Sequence, residues 1–258
     1  MLQVEPSRTD RAAIVQERWT ITPNASRHGY RDMYGNLCER LELPASASSI
    51  RYDALVEVPA NIDETDESAA EVAPGALPDE VLVYTLPSRY CLSDELADEA
   101  WRLFGTTTSG WGRVQAICDY VHDTIRFQQG ASSPLTTAVD VYTNRVGVCR
   151  DFAQLAISFC RALNIPARYA FGYLPDIGVP PDGSPMDFCA WMEVWLGGRW
   201  FTFDPRNNQR RVGRVIVGRG RDALDCAMLT SYGNAPLETM LVWADEVADD
   251  VPASILDE

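Results

Sequence analysis

Seven cysteines, Cys38, Cys91, Cys118, Cys149, Cys160, Cys189 and Cys226, are the side chains in this sequence best able to act as nucleophiles. Their number is odd, they are widely spread and no C-x-x-C pair occurs, which indicates neither a disulfide framework nor a compact zinc motif. Most should therefore be reduced thiols that simply pack. Position separates two of them from the rest. Cys149 opens a periodic apolar stretch and so stands at a helix N-terminus, where the aligned backbone favours a thiolate by about 0.3 to 1 kcal/mol. Cys189 begins an aromatic-rich run that folds back, through a tight turn, onto a second run ending at Asp204. A helix-start thiol with a second thiol and a carboxylate gathered near it is a nucleophile-type constellation, suited to covalent attack on a carbonyl carbon.

The elements that must hold these groups follow from periodicity. From Cys149 to Asn164, Phe152, Leu155, Ala156, Phe159, Cys160 and Leu163 form one helical stripe, and Pro166 forbids continuation. Gly197-Gly198 between the runs 188–196 and 199–204 predicts a two-residue hairpin, because both central positions can take positive φ without cost. Counting outward from that turn pairs Leu196 with Arg199, Val194 with Phe201, Met192 with Phe203 and Trp191 with Asp204. Alternation then puts Cys189, Trp191, Glu193 and Trp195 on one face with Trp200, Thr202 and Asp204, and makes Cys189 and Asp204 diagonal neighbours. Two earlier helices are expected. One is capped by Ser93, carries Leu96, Ala100, Leu103 and Phe104 and ends at Gly105; the other runs from about Arg113 to Arg126 with Val114, Ile117, Cys118, Val121 and Ile125 on one stripe. A strand is expected over 167–174, followed by a Pro/Gly/Asp loop over 175–185.

The first sixty residues read as β structure, with turn chemistry at Tyr34-Gly35-Asn36 and period-two alternation through Ile50, Tyr52, Ala54, Val56 and Val58. Residues 61–79 turn acidic and small, with Pro74, Gly75 and Pro78, and read as a linker too polar to bury much surface. The expected organisation is an N-terminal β domain with its acidic linker over 1–75 and an α+β domain over 76–258.

The runs Gly147-Val148-Cys149-Arg150-Asp151-Phe152-Ala153 and Cys160 to Tyr169, with Met186-Asp187-Phe188, Gly197-Gly198-Arg199-Trp200, Phe203-Asp204-Pro205 and Gly218 to Ala223, resemble the transglutaminase-like superfamily, and within it a bacterial branch of cysteine-protease-like proteins. The resemblance spans roughly residues 80 to 235, and the Tyr34-Gly35-Asn36 turn fits the N-terminal β region of that branch. It implies a papain-like α+β core, a helix bearing the nucleophile packed on an antiparallel sheet, and acyl transfer through a Cys, His, Asp triad. Cys149 matches the nucleophile position and Asp204 that of the residue orienting the imidazole. Where the pattern has His, this chain has Cys189.

An unperturbed thiol titrates near 8.5 and imidazole near 6.5, so Cys189 is the poorer proton shuttle at neutral pH, and losing general acid-base help typically costs about two to four orders of magnitude in rate. The pair still has chemistry open to it: Cys149 as thiolate nucleophile, Cys189 as a thiol that hydrogen-bonds it and protonates a leaving group, and Asp204 disfavouring a second anion. Thioesters suit such a site best, because a leaving thiolate needs less protonation than an amine. The expected function is thiol-dependent acyl transfer or hydrolysis at an amide, ester or thioester carbonyl. The alternatives are a non-catalytic binding module that keeps the groove, a Cys/Cys/Asp metal site, and a reversible Cys149 to Cys189 disulfide.

Of the two histidines, His122 reads as a hydrogen-bonded core residue and His28 as part of a turn beside Gly29. Trp191, Trp195 and Trp200 read as cross-strand packing, and Asp245, Glu246, Asp249 and Asp250 as a solvated acidic tail. A net charge of -15 argues against a nucleic-acid partner, whose phosphates need basic neighbours. Glu5, Arg8, Asp10 and Arg11 interrupt any secretory leader within Met1 to Val15, and no apolar run approaches a membrane span. A cytoplasmic protein is expected, without cofactor or metal, acting on a small-molecule, peptide or acyl-thioester substrate.

Overall fold

The structure, a computed structural model, describes residues 1–8, 12–180, 183 and 186–247. Asp249 and Asp250 of the acidic tail, and part of the loop before Met186, lie outside these residues. In chain order the elements are β1 (Ala13–Thr22), β2 (Ser26–Arg31), β3 (Leu37–Glu42), β4 (Ser49–Glu57), α1 (Asp79–Leu82), α2 (Ala97–Phe104), α3 (Trp111–Thr124), β5 (Arg126–Phe127), α4 (Ala138–Asn144), β6 (Val146–Gly147), α5 (Cys149–Ala162), β7 (Ala167–Tyr173), β8 (Cys189–Leu196), β9 (Arg199–Phe203) and β10 (Val215–Gly220).

The α+β core is an antiparallel sheet in the order β10-β7-β8-β9, with α5 against one face. Phe152, Leu155, Ala156, Phe159 and Cys160 of α5 pack with Ala190, Met192, Val194 and Leu196 of β8 in one buried cluster. Burying each large apolar side chain is worth about 1.5 to 3 kcal/mol, which makes this contact the anchor of the nucleophile helix. The helix is buried on its polar side as well, because α2, α3 and α4 close around it. Ser158 there donates to the Gln154 carbonyl at 2.7 Å and Arg161 to the carbonyls of Ala167, Leu86 and Arg221, while the buried Gln154 accepts the Ala223 N–H on Oε1 and leaves its Nε2 without a partner. The seven-residue α4, held by a Thr137/Asp140 capping box, was not expected from periodicity, because it is too short to display two full turns of pattern.

The glycine hairpin forms as expected, with Gly197 at φ 56° and Gly198 at φ 89°. Leu196 pairs with Arg199, Val194 with Phe201 and Met192 with Phe203. The expected Trp191 to Asp204 pair does not form, since β9 stops at Phe203. Pro205 cannot donate to a ladder, and Asp204 instead opens a turn, its carbonyl accepting the Asn208 N–H at 2.7 Å and its Oδ1 the Asn207 N–H at 3.0 Å.

The N-terminal β structure consists of two antiparallel pairs, β1 with β4 and β2 with β3. It is tied to the core. Asn36, after the Tyr34-Gly35 turn, exchanges hydrogen bonds with both backbone groups of Arg219 in β10, and the Ser7 N–H donates to the Ile216 carbonyl. Residues 61–79, read as a linker, lie along the core instead. Ala69 is buried and accepts from the Trp111 N–H, Ala70 accepts from the Gly197 N–H, and Glu71 takes the Arg113 guanidinium and the Gly110 N–H. Glu71 and Asp63 of this strap serve as acceptors for partly buried donors, a role that composition alone does not reveal.

Candidate active site

Cys149 is the first residue of α5, after Val148 with extended backbone. Asp151, fully buried, fixes this start: its Oδ2 accepts the Val148 N–H at 2.8 Å and its Oδ1 the Ser132 hydroxyl at 3.0 Å, while Arg150 reaches Ser132 and the Ser133 carbonyl. The helix start is thereby stitched to the loop that precedes α4. Asp151 and Ser132 were not singled out from sequence. A carboxylate three residues into the helix, after Val148, is the local signal that could have found Asp151.

The Cys149 thiol sits over the start of β8, donating to the Phe188 carbonyl at 3.7 Å, and packs against the cluster of Cys189, Ala170, Trp191 and Ile216; the Cys189 thiol donates to the Ala190 carbonyl at 4.0 Å. Cys149 is partly exposed, whereas the other six cysteines are buried. Its thiol is held below the ordinary value, chiefly by the neighbouring Cys189 thiol; burial opposes this, and the Ala190 N–H and the Arg206 charge add to it against Asp187. Cys189 moves the other way. Its neighbour Cys149 and its own burial push it well above the ordinary thiol value, with the Cys149 and Asp204 charges adding and Arg214 opposing. Of the two sulfurs, Cys149 is therefore the one that gives up its proton more readily.

Asp204 is buried beside this pair and does not hydrogen-bond Cys189. Its oxygens are engaged by Asn207 Nδ2 at 2.8 Å, the Asn207 N–H, and Arg214 Nη2 at 2.8 Å. Burial raises its carboxyl, but Arg214 and Asn207 outweigh that and leave it below the usual carboxylate value. Arg214 also donates from Nε to Asp63 at 2.9 Å and stacks over the Trp191 ring at 4.9 Å. Arg214 and Asn207 carry no local sequence signal; only the return of the chain into β10 brings the guanidinium to Asp204.

Neither histidine substitutes for the missing base. His122 lies exposed on α3, with Nδ1 on the Arg206 carbonyl at 2.8 Å, so it is hydrogen-bonded as expected but is not in the core: it falls outside the apolar stripe of its helix. His28 lies within β2 opposite Arg40, not in a turn. Trp195 and Trp200 pair across strands with ring centroids 5.3 Å apart, and Trp191 is fully buried. Among the described residues, no group of three His, Cys, Asp or Glu is arranged to hold a metal ion. A cavity of about 280 Å³ lies beside the loop that Arg150 grips, walled by Ser133, Leu135, Thr136 and Asp140 among others; Cys149 is not in its wall.

The family model of the transglutaminase-like superfamily matches residues 99–205, the span from α2 through the Asp204 turn. A crystal structure described as a putative cysteine protease from Cytophaga hutchinsonii superposes with a TM-score of 0.81 at 31% identity, covering 95% of this chain and 87% of that one. The chain belongs to the transglutaminase-like superfamily. Its relatives include an uncharacterized protein of Mycobacterium tuberculosis (strain ATCC 25618 / H37Rv), 30% identical over 94% of this chain and 84% of its own length. Another is an uncharacterized protein of Mycobacterium leprae (strain TN), 25% identical over 88% and 83%. The superfamily match includes α5 and the β8–β9 hairpin, and therefore both sulfurs and Asp204.

Proposed function

We propose that this chain is a thiol acyltransferase or hydrolase in which Cys149 attacks an amide, ester or thioester carbonyl, with thioesters its best substrates. The observation that carries this reading is Cys149, a partly exposed residue at the start of α5, packed against the buried cluster that holds a second thiol, Cys189. In the proposed reaction the Cys149 thiolate adds to the carbonyl carbon. The backbone N–H of Cys149, at a helix position with no intrahelical acceptor, is available to the developing oxyanion. The leaving group departs, taking the Cys189 proton where it needs one, and leaves a thioester on Cys149. Water, an amine or a thiol then resolves that thioester. An amine leaving group requires full protonation and a thiolate does not, so the absence of an imidazole costs least with thioesters.

The test has two parts. Iodoacetamide labelling of Cys149 against pH should show a midpoint below about 8.5, the ordinary thiol value, that moves up in Cys189→Ala; an ordinary midpoint unmoved by that change refutes the polarised pair. A thioester probe should then acylate Cys149 in the folded protein. Failure to label, with iodoacetamide reactivity intact, would refute the acyl-transfer reading and favour a non-catalytic binding module.

A further inference from the structure

We infer that Cys149 and Cys189 form a reversible disulfide when the protein meets a hydroperoxide, so that the candidate active site is gated by oxidation. The inference rests on the nucleophile reading of Cys149 and adds a regulation to it. The Cys149 sulfur lies 3.7 Å from the Phe188 carbonyl and packs against the buried cluster that holds Cys189, whose own sulfur lies 4.0 Å from the Ala190 carbonyl, so the two thiols stand at neighbouring points of one strand start. An imidazole at that position would leave the oxidised nucleophile without a resolving thiol.

The chemistry divides into two balanced steps. The Cys149 thiolate attacks the terminal peroxide oxygen; the S–O bond forms, the O–O bond breaks, the sulfur is oxidised to a sulfenic acid, and the released alkoxide takes a proton from solvent. The Cys189 sulfur then attacks the sulfenic sulfur. The S–S bond forms, the S–O bond breaks, and the hydroxide leaves as water with the Cys189 proton. An external dithiol reverses the product by exchange. The first step prepares the second, because the Cys149 anion is one of the charges that keep Cys189 protonated, and it disappears on oxidation while Arg214 remains. The other cysteines do not compete. Cys118 and Cys160 are fully buried, and burial pushes Cys91 up to about 12.

The full chain is treated with hydrogen peroxide, alkylated with N-ethylmaleimide, and analysed by non-reducing intact mass and peptide mapping. The expected result is loss of alkylation at Cys149 and Cys189 together, a Cys149–Cys189 cross-linked peptide, loss of thioester labelling, and recovery of all three on adding dithiothreitol. Cys189→Ser should abolish the cross-link and let dimedone trap Cys149 as the sulfenic acid. Over-oxidation of wild-type Cys149 without a cross-link, or a cross-link between other cysteines, overturns the inference. A cross-link in a protein that accepts no acyl probe refutes only the acyl-transfer reading, and acylation without a cross-link refutes only the switch.

Discussion

Arg214 sits between two carboxylates at the edge of the candidate site, and replacing it with methionine removes the charge while keeping most of the stem. Two charge-assisted hydrogen bonds are lost, Nη2 to Asp204 and Nε to Asp63. At about 1.5 to 3 kcal/mol each they sum to about 3 to 6, in line with the 3 to 5 kcal/mol typical of breaking a buried pair. Most of that cost falls at Asp204, whose side chain is 1% exposed against 13% for Asp63, because an isolated buried anion has no water to turn to. Adding Asp204→Asn to the Arg214→Met background should restore about 2 kcal/mol or more. Restoration stays partial, since an amide offers one acceptor oxygen where Asn207 presents two donors. The pH dependence fixes the sign. In wild type the depressed Asp204 carboxyl contributes stability above its unfolded pKa near 3.9, and that contribution is lost as pH falls through its lower folded value. With Arg214 gone, burial raises the carboxyl, so the variant is penalised at neutral pH and relieved toward pH 4. Urea unfolding of the four proteins at pH 7 and pH 4 measures both effects. Single-variant costs that add within about 0.5 kcal/mol, or a penalty that does not shrink in acid, would refute this account of the site's electrostatics.

Glu193, held to about 2 by Arg168 and Arg219 against its own burial, should lose about 3 kcal/mol of stability above pH 4.5 on change to Gln, and the difference from wild type should close as pH falls toward 2; thermal unfolding against pH checks it. Gly147→Ala would place a Cβ 2.8 Å from the Asp151 Cβ and 3.0 Å from its Oδ2, forcing that carboxylate off the Val148 N–H. It should cost about 1 to 3 kcal/mol and slow Cys149 alkylation more than unfolding alone explains. Cys189→His should raise ester hydrolysis by about a hundredfold, the low end of general-base help, because Asp204 is committed to Arg214 and cannot orient the ring fully. No gain in the correctly folded variant would refute the assignment of position 189 to the missing base.

The local parts of the site were legible because they rest on short-range chemistry. Pro166 and the apolar stripe delimit α5, so Cys149 reads as a helix start, and Gly197-Gly198 sets the register that aligns Met192 with Phe203. Where the expectations departed from the structure, partners distant in the chain decide. Residues 61–79 look solvated by composition, yet Glu71 and Asp63 are acceptors for Arg113 and Arg214, which stand 42 and 151 residues away. His122 lies off the apolar face of α3, where Arg206 offers it a carbonyl.

The chain alone determined its superfamily motif, the helix that presents one thiol, the hairpin that carries the other, and the replacement of the expected imidazole by sulfur. Tertiary structure decided how those groups are charged. Whether Asp204 serves Cys189 or Arg214 depends on which donor the folded chain returns to it, and a guanidinium at 2.8 Å in a buried setting outcompetes a thiol for a carboxylate. Periodicity records which residues face inward; it does not record which buried charges meet there.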